Sequence, residues 1–150
     1  MKKNTRTRMI TLFFTLSFFV WSVAAPVSSQ EYHIDEDFFE KREFISKIVE
    51  LIAPDSSYAA RLGVCAVIVN RMRDSRFPSD VYSVVYHSEQ FCEAQGRELC
   101  DVTASELSEI AARDALLGFD ITCGAVYFKK GYPAERQGAC FYHDGFLFYR

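Results

Sequence analysis

No stretch of this 150-residue chain is strongly basic, which argues against nucleic-acid binding. Past the N-terminus no apolar run reaches 20 residues, which excludes a multi-span membrane protein. No CxxC or HxxxH spacing occurs, so zinc finds no recognisable ligand set. The three histidines, His33, His87 and His143, lie far apart, and nothing local suggests a nucleophile–base pairing. The only tryptophan is Trp21, and there is no internal repeat or low-complexity linker. What is present is 49% apolar and 25% charged residues, the balance of a folded domain. The length suits one domain of ordinary size.

Residues 1–8 carry Lys2, Lys3, Arg6 and Arg8 and no acid; residues 9–23 are apolar apart from Thr and Ser, and small residues follow at 24–29. That order is the one found in a secretory signal peptide. Residues 1–29 are therefore expected to be removed, with cleavage after Ser29 or, second, after Ala24; the competing reading is an uncleaved N-terminal anchor. Removal takes away four of the 17 Lys and Arg and none of the 20 Asp and Glu, moving the formal charge from −3 to −7. A chain of that sign is not held to anionic polymers by bulk charge, so wall or membrane contact would need a shaped groove. The expected place is the periplasm or the cell exterior, with no stable membrane span after cleavage.

An exported chain can oxidise its cysteines. Cys65 lies in the apolar run LGVCAVIVN and reads as a buried helix residue. Cys92 with Cys100 would close a short loop and Cys123 with Cys140 a longer one, although spacing alone does not determine connectivity. Five is an odd number, so at least one thiol stays free or pairs between chains.

The acidic segment 30–42 reads as a loose lead-in to a domain spanning 43–150. Ile45, Ile48, Val49 and Ile52 recur at helical spacing, and Pro54 stops that helix. Residues 58–73 form a mostly apolar helix, expected at the centre of the core. VYSVVY at 81–86 is a short apolar segment, and 88–102 is a polar loop. Thr103 to Glu106 has the pattern of a capping box for a further helix that Gly118 would end. CGAVYF at 123–128 reads as a strand, and 140–149 as a hairpin turning at Asp144-Gly145. Helices precede strands, so the class is α+β.

Glycoside cleavage needs a carboxylic acid with a raised pKa against the scissile oxygen. Glu50 is the only acid inside the apolar IVELIA segment and so the candidate for partial desolvation. The plainer reading is a solvent-facing Glu50, because the apolar stripe is complete without it. Aromatic clusters at 127–128, 141–142 and 146–149 would suit sugar stacking or the packing of a small core.

Several ordered pieces resemble one family. They are Val67-Ile68-Val69-Asn70-Arg71, Phe77-Pro78, Tyr82 to Tyr86, Gln90-Phe91, the stretch AARDALLGFDITCGAVYF at 111–128 and the closing FLFYR. Together they resemble the SleB/CwlJ-type cell wall hydrolases, the spore cortex-lytic enzymes, over about residues 43–150. The cysteines around the Gln-Phe loop are similar to those of exported proteobacterial members. The resemblance implies a SleB-type catalytic-domain fold and peptidoglycan as partner. It also implies cleavage in the manner of a lytic transglycosylase, in which one glutamate protonates the glycosidic oxygen and the sugar's 6-hydroxyl closes an anhydro ring. That chemistry requires no metal or cofactor. Gln90, Phe91 and Tyr127 would line the glycan groove.

The chain departs from the family pattern at two places. Without gaps, the family's catalytic Glu falls on Ile52, and its Arg-Gly-Glu becomes Pro54-Asp55-Ser56. The family's His before the final Phe-Tyr falls on Phe146. A two-residue insertion in the turn would instead bring Glu50 to the proton-donor position. Two expectations therefore stand together. One is a glycan-cutting enzyme using Glu50; the other is a non-catalytic relative that binds peptidoglycan or a partner protein.

Overall fold

The computed structural model describes residues 36–131 and 139–150. The chain divides into two units, Met1–Tyr32 and His33–Arg150, and all described residues belong to the second. The signal segment 1–29, its cleavage sites and His33 lie outside the described residues.

Four helices come first: α1 (Glu36–Ile52), α2 (Tyr58–Arg73), α3 (Val81–Tyr86) and α4 (Glu106–Leu116), with 3-10 turns at Glu89–Phe91 and Leu99–Asp101 between the last two. Strands β1 (Tyr127–Lys130), β2 (Ala139–His143) and β3 (Phe146–Tyr149) follow. The α+β order expected from the sequence is the observed one. Among the described residues, no helix is long and apolar enough to cross a membrane.

Helix α1 buries Ile45, Ile48, Val49 and Ile52, the spacing visible in the sequence. Its start corrects the boundary at 43, because Glu36–Arg42 of the acidic lead-in is already helical. Glu36 and Asp37 stand in the first turn, where acids complement the helix dipole. The Asp37–Lys41 and Glu43–Lys47 pairs then support its exposed face.

Helix α2 is capped by Ser57, whose side chain accepts from the Ala60 N–H. It is buried on almost every side because α1, α3, α4 and β1 all pack on it. Cys65 is fully buried there, and burial raises its thiol pKa. The Tyr58 hydroxyl donates to Asp114 at 2.7 Å and ties α2 to α4.

VYSVVY becomes α3 despite its β-branched residues. Asp80 caps it by accepting from the Ser83 N–H at 2.8 Å, and Val81, Val84 and Val85 fall on one buried face. The cap of α4 is Ser105, two residues later than the expected Thr103. Gly118, at φ +100°, ends α4 as expected. Its N–H reaches the Ala115 carbonyl and the Phe119 N–H reaches that of Asp114, a Schellman closure.

The sheet order is β1-β3-β2, antiparallel throughout. Asp144 and Gly145 both have positive φ, the two-residue hairpin geometry that Asp-Gly favours. The strand expected at 123–128 starts only at Tyr127. Cys123 and Gly124 are left-handed, and their loop is drawn onto Asp120. That carboxylate accepts from Gly124 N, the Asn70 amide, Thr122 N and Thr122 Oγ1.

The sheet meets the helices where the Phe148 ring enters a notch at Gly63 of α2. A Cβ on Gly63 would stand 2.5 Å from Phe148 Cζ. Phe148 is fully buried, with Phe128, Phe141 and Phe146 around it, so the ring has little room to retreat. Helix propensity alone favours Ala over Gly by about 1 kcal/mol. Overlap in a packed core costs more, so Gly63→Ala is expected to destabilise the domain by about 1–3 kcal/mol. Urea unfolding measures this, and a stabilised Gly63→Ala would show that the notch is slack.

The five cysteines are all free thiols. Neither expected pairing, Cys92–Cys100 or Cys123–Cys140, is present. Cys100 turns its sulfur to the Glu98 and Asp101 carboxylates, at 3.8 and 3.7 Å. Cys140 sits at the bulge between Ala139 and Phe141, while Cys123 lies in the left-handed loop. All four of these thiols are exposed.

Candidate functional site

Two hollows flank β1. The first, about 540 Å³, lies between the turn after α1 and the hairpin. Its walls are Ile52 to Ser56 on one side and Lys130, Gly131 and Asp144 to Phe146 on the other. The second, about 470 Å³, lies at the other end of β1 and is lined by Arg71, Arg76, Phe77, Gln90 and Tyr127 among others.

Ile52 is in the first hollow's wall and only 2% exposed. It offers no proton. Asp55 is exposed on the same wall. Asp144 faces it across the hollow; its carboxylate accepts from the Ser57 N–H at 2.8 Å, which lowers its pKa. Lys130, at the end of β1, pairs with Glu93 at 2.9 Å.

Glu50 lines neither hollow. Its Oε2 accepts from Arg61 Nη1 at 2.7 Å, from the Ser105 N–H at 2.9 Å and from Ser105 Oγ at 2.6 Å. Burial alone would raise its pKa. The hydrogen bonds from Ser105 and Arg61 win, and the group is lowered from 4.5 to about 2. Glu50 is thus ionised at any pH at which a general acid would have to hold a proton. It caps α4 from α1.

Arg61 is the centre of this network and is 5% exposed. Besides Glu50, its Nη1 donates to Ser105 Oγ and Ser108 Oγ. Its Nε donates to the Ser56 carbonyl at 2.9 Å and its Nη2 to the Pro54 carbonyl at 3.1 Å. Those two carbonyls belong to the turn that walls the first hollow. Glu50 and Arg61 therefore position the hollow's edge without touching its contents.

Gln90 and Tyr127 come together at the second hollow. The Gln90 amide donates to the Phe128 carbonyl at 2.8 Å and accepts from the Phe128 N–H at 3.2 Å, so it extends the sheet beyond β1. Tyr127 is half-buried; it stacks on Tyr149 with ring centroids 5.5 Å apart, and the Arg71 guanidinium lies over its ring at 5.1 Å. Phe91 does not line a groove; it is fully buried and packs on Phe128.

Sequence reasoning missed Arg61, Ser105 and Arg71. A signal existed for both arginines. Both sit in the mostly apolar helix α2, and a buried guanidinium must find acceptors.

The profile of the family described as Cell Wall Hydrolase matches residues 55–144. Among solved structures, the catalytic domain of the Bacillus cereus SleB protein is similar at a TM-score of 0.63 and 23% identity, covering 75% of this chain and 91% of that one. The catalytic domain of a germination-specific lytic transglycosylase, SleB from Bacillus anthracis, is similar at a TM-score of 0.62 and 23% identity, covering 73% and 93%. At that identity the likeness speaks for the fold. No curated protein matches the chain.

Proposed function

Since the chain belongs to the cell wall hydrolase family, we propose that it acts outside the cytoplasm and engages peptidoglycan as a binder that does not cut the glycan strand. One observation carries this reading. The wall of the first hollow presents Ile52 where the family resemblance calls for a proton-donating glutamate, and the nearby helical acid, Glu50, is locked as an ionised cap. Without a protonated carboxyl at the scissile oxygen, a transglycosylase loses its general acid, a contribution of about 10²–10⁴-fold. The hollow keeps the size of a ligand site.

The test joins pelleting with purified peptidoglycan to muropeptide mass spectrometry of the same mixture. The protein is expected to co-sediment with the polymer and to release no anhydro-muropeptides. Anhydro products from the wild-type protein would overturn the reading. Their loss in Asp55→Asn would then identify the exposed Asp55 as the donor.

A further inference from the structure

Among the described residues Arg71 is a buried cation with no carboxylate partner. It is 2% exposed at the end of α2. Its Nε donates to the Val126 carbonyl and its Nη1 to Ser88 Oγ, both at 2.6 Å. Its Nη2 donates to no acceptor among the described residues, and no carboxylate pairs with it there. Three rings surround the guanidinium, with centroids at 4.7 Å for Phe77, 5.1 Å for Tyr127 and 5.3 Å for Phe91.

The chemistry of this arrangement is incomplete. A guanidinium keeps its charge, and a buried charge without a counter-ion is costly. Ring faces offset only part of that cost. The second hollow, with Arg71 in its wall, is where an anion from solution would complete the arrangement. Arg76 adds a second guanidinium to the lining, already paired with Asp74 at 2.7 Å. Exposed Glu89 also lines the hollow and would repel a dianion more than a monoanion.

We propose that this hollow is a carboxylate-binding subsite in which the free edge of Arg71 takes one singly charged carboxylate. Peptidoglycan offers such groups on its peptide stems and, where a stem has been removed, on the lactyl group of its muramic acid residues. The identity of the carboxylate's source, and nothing else in the proposal, rests on the wall-binding reading.

The test follows the Arg71 Nε–Hε resonance of the full chain by NMR, with Arg61 as internal control. The probes are sodium acetate, a glycan fragment bearing free carboxylates, and the same fragment with its carboxylates converted to carboxamides. Acetate is expected to shift Arg71 saturably and leave Arg61 in place. The free-carboxylate fragment is expected to bind about tenfold more tightly than the carboxamide. Arg71→Lys should erase that preference. The exposed lining residues keep the proposal testable if Arg71→Lys does not fold. Glu89→Gln should strengthen acetate binding and Arg76→Gln weaken it, each by about twofold. An unmoved Arg71 resonance overturns the proposal. So does equal binding of both fragments, which would leave wall binding standing. An acetate response with neither fragment bound would uphold the subsite and remove the wall as its source.

Discussion

Glu50→Ala is expected to lower the unfolding free energy at pH 7 by about 3–5 kcal/mol, the cost of stranding one member of a buried ion pair. Arg61 would keep its 5% exposure and lose its only carboxylate partner among the described residues. The N-terminus of α4 would lose its acceptor at Ser105. A carboxyl held at about 2 instead of 4.5 contributes about 3 kcal/mol at neutral pH, in agreement with that range. The folded pKa is the depressed one, so this stability is fully present above about 4.5. It is lost as the pH falls from there toward 2. Urea unfolding of the wild type between pH 6 and 2.5 should show the decline, and Glu50→Ala should flatten it in that window. A loss below about 1 kcal/mol, the worth of an exposed pair, would mean that Glu50 is not the anchor described. Domains of this kind have about 5–15 kcal/mol in total, so the variant approaches the threshold of folding.

If the chain binds the glycan without cutting it, as proposed, Ile52→Glu is expected to restore cutting, with anhydro-muropeptides as the product to detect. A carboxyl at this 2%-exposed position would be desolvated, and Asp55 and Asp144 in the same lining add negative charge. Both effects raise its pKa against the opposing pull of Lys130, a cation of the same lining already paired with Glu93, and favour the protonated state a general acid needs. The substitution costs stability, about 1–3 kcal/mol for burying a polar group, so folding must be verified by circular dichroism. Ile52→Gln has nearly the same shape as the Glu variant and no transferable proton; it should stay silent. A folded Ile52→Glu protein that binds the polymer and releases nothing would place the missing chemistry elsewhere than at this one side chain.

The parts of the fold that rest on local chemistry were legible. The Asp144-Gly145 turn, the stripe from Ile45 to Ile52, the Pro54 stop and the Gly118 stop each depend on neighbours within a few residues. The start of α1 was not, because 36–42 lacks an apolar period and is helical through its dipole and i,i+4 charges. Neither was the late start of β1, which follows from Asp120 gathering its loop.

The site was harder to read. Glu50 stood out as the acid in an apolar helix, and it is indeed largely withdrawn from water. Its role is set by Arg61, 11 positions on, and by Ser105, 55 positions on. Spacing within one helix carries no trace of those partners, and they reverse the direction of its pKa. The same holds for Gln90 and Phe91. Both were expected to line a groove; Gln90 does so while pairing with a strand 38 positions away, and Phe91 packs beneath that strand.

The strand order β1-β3-β2 also constrains the order of assembly. Among the described residues β1 and β2 do not bond to each other; each bonds only to β3, the last of the three to be made. No part of this sheet can zip up during synthesis until residues 146–149 exist. The helices meet no such delay, since α1, α2 and α4 pack on one another from residues already made. A chain cut at Gly145 would thus carry two strands with open edges and an empty notch at Gly63. That species would be prone to pair with its own kind, because unpaired edges beside exposed aromatics template association.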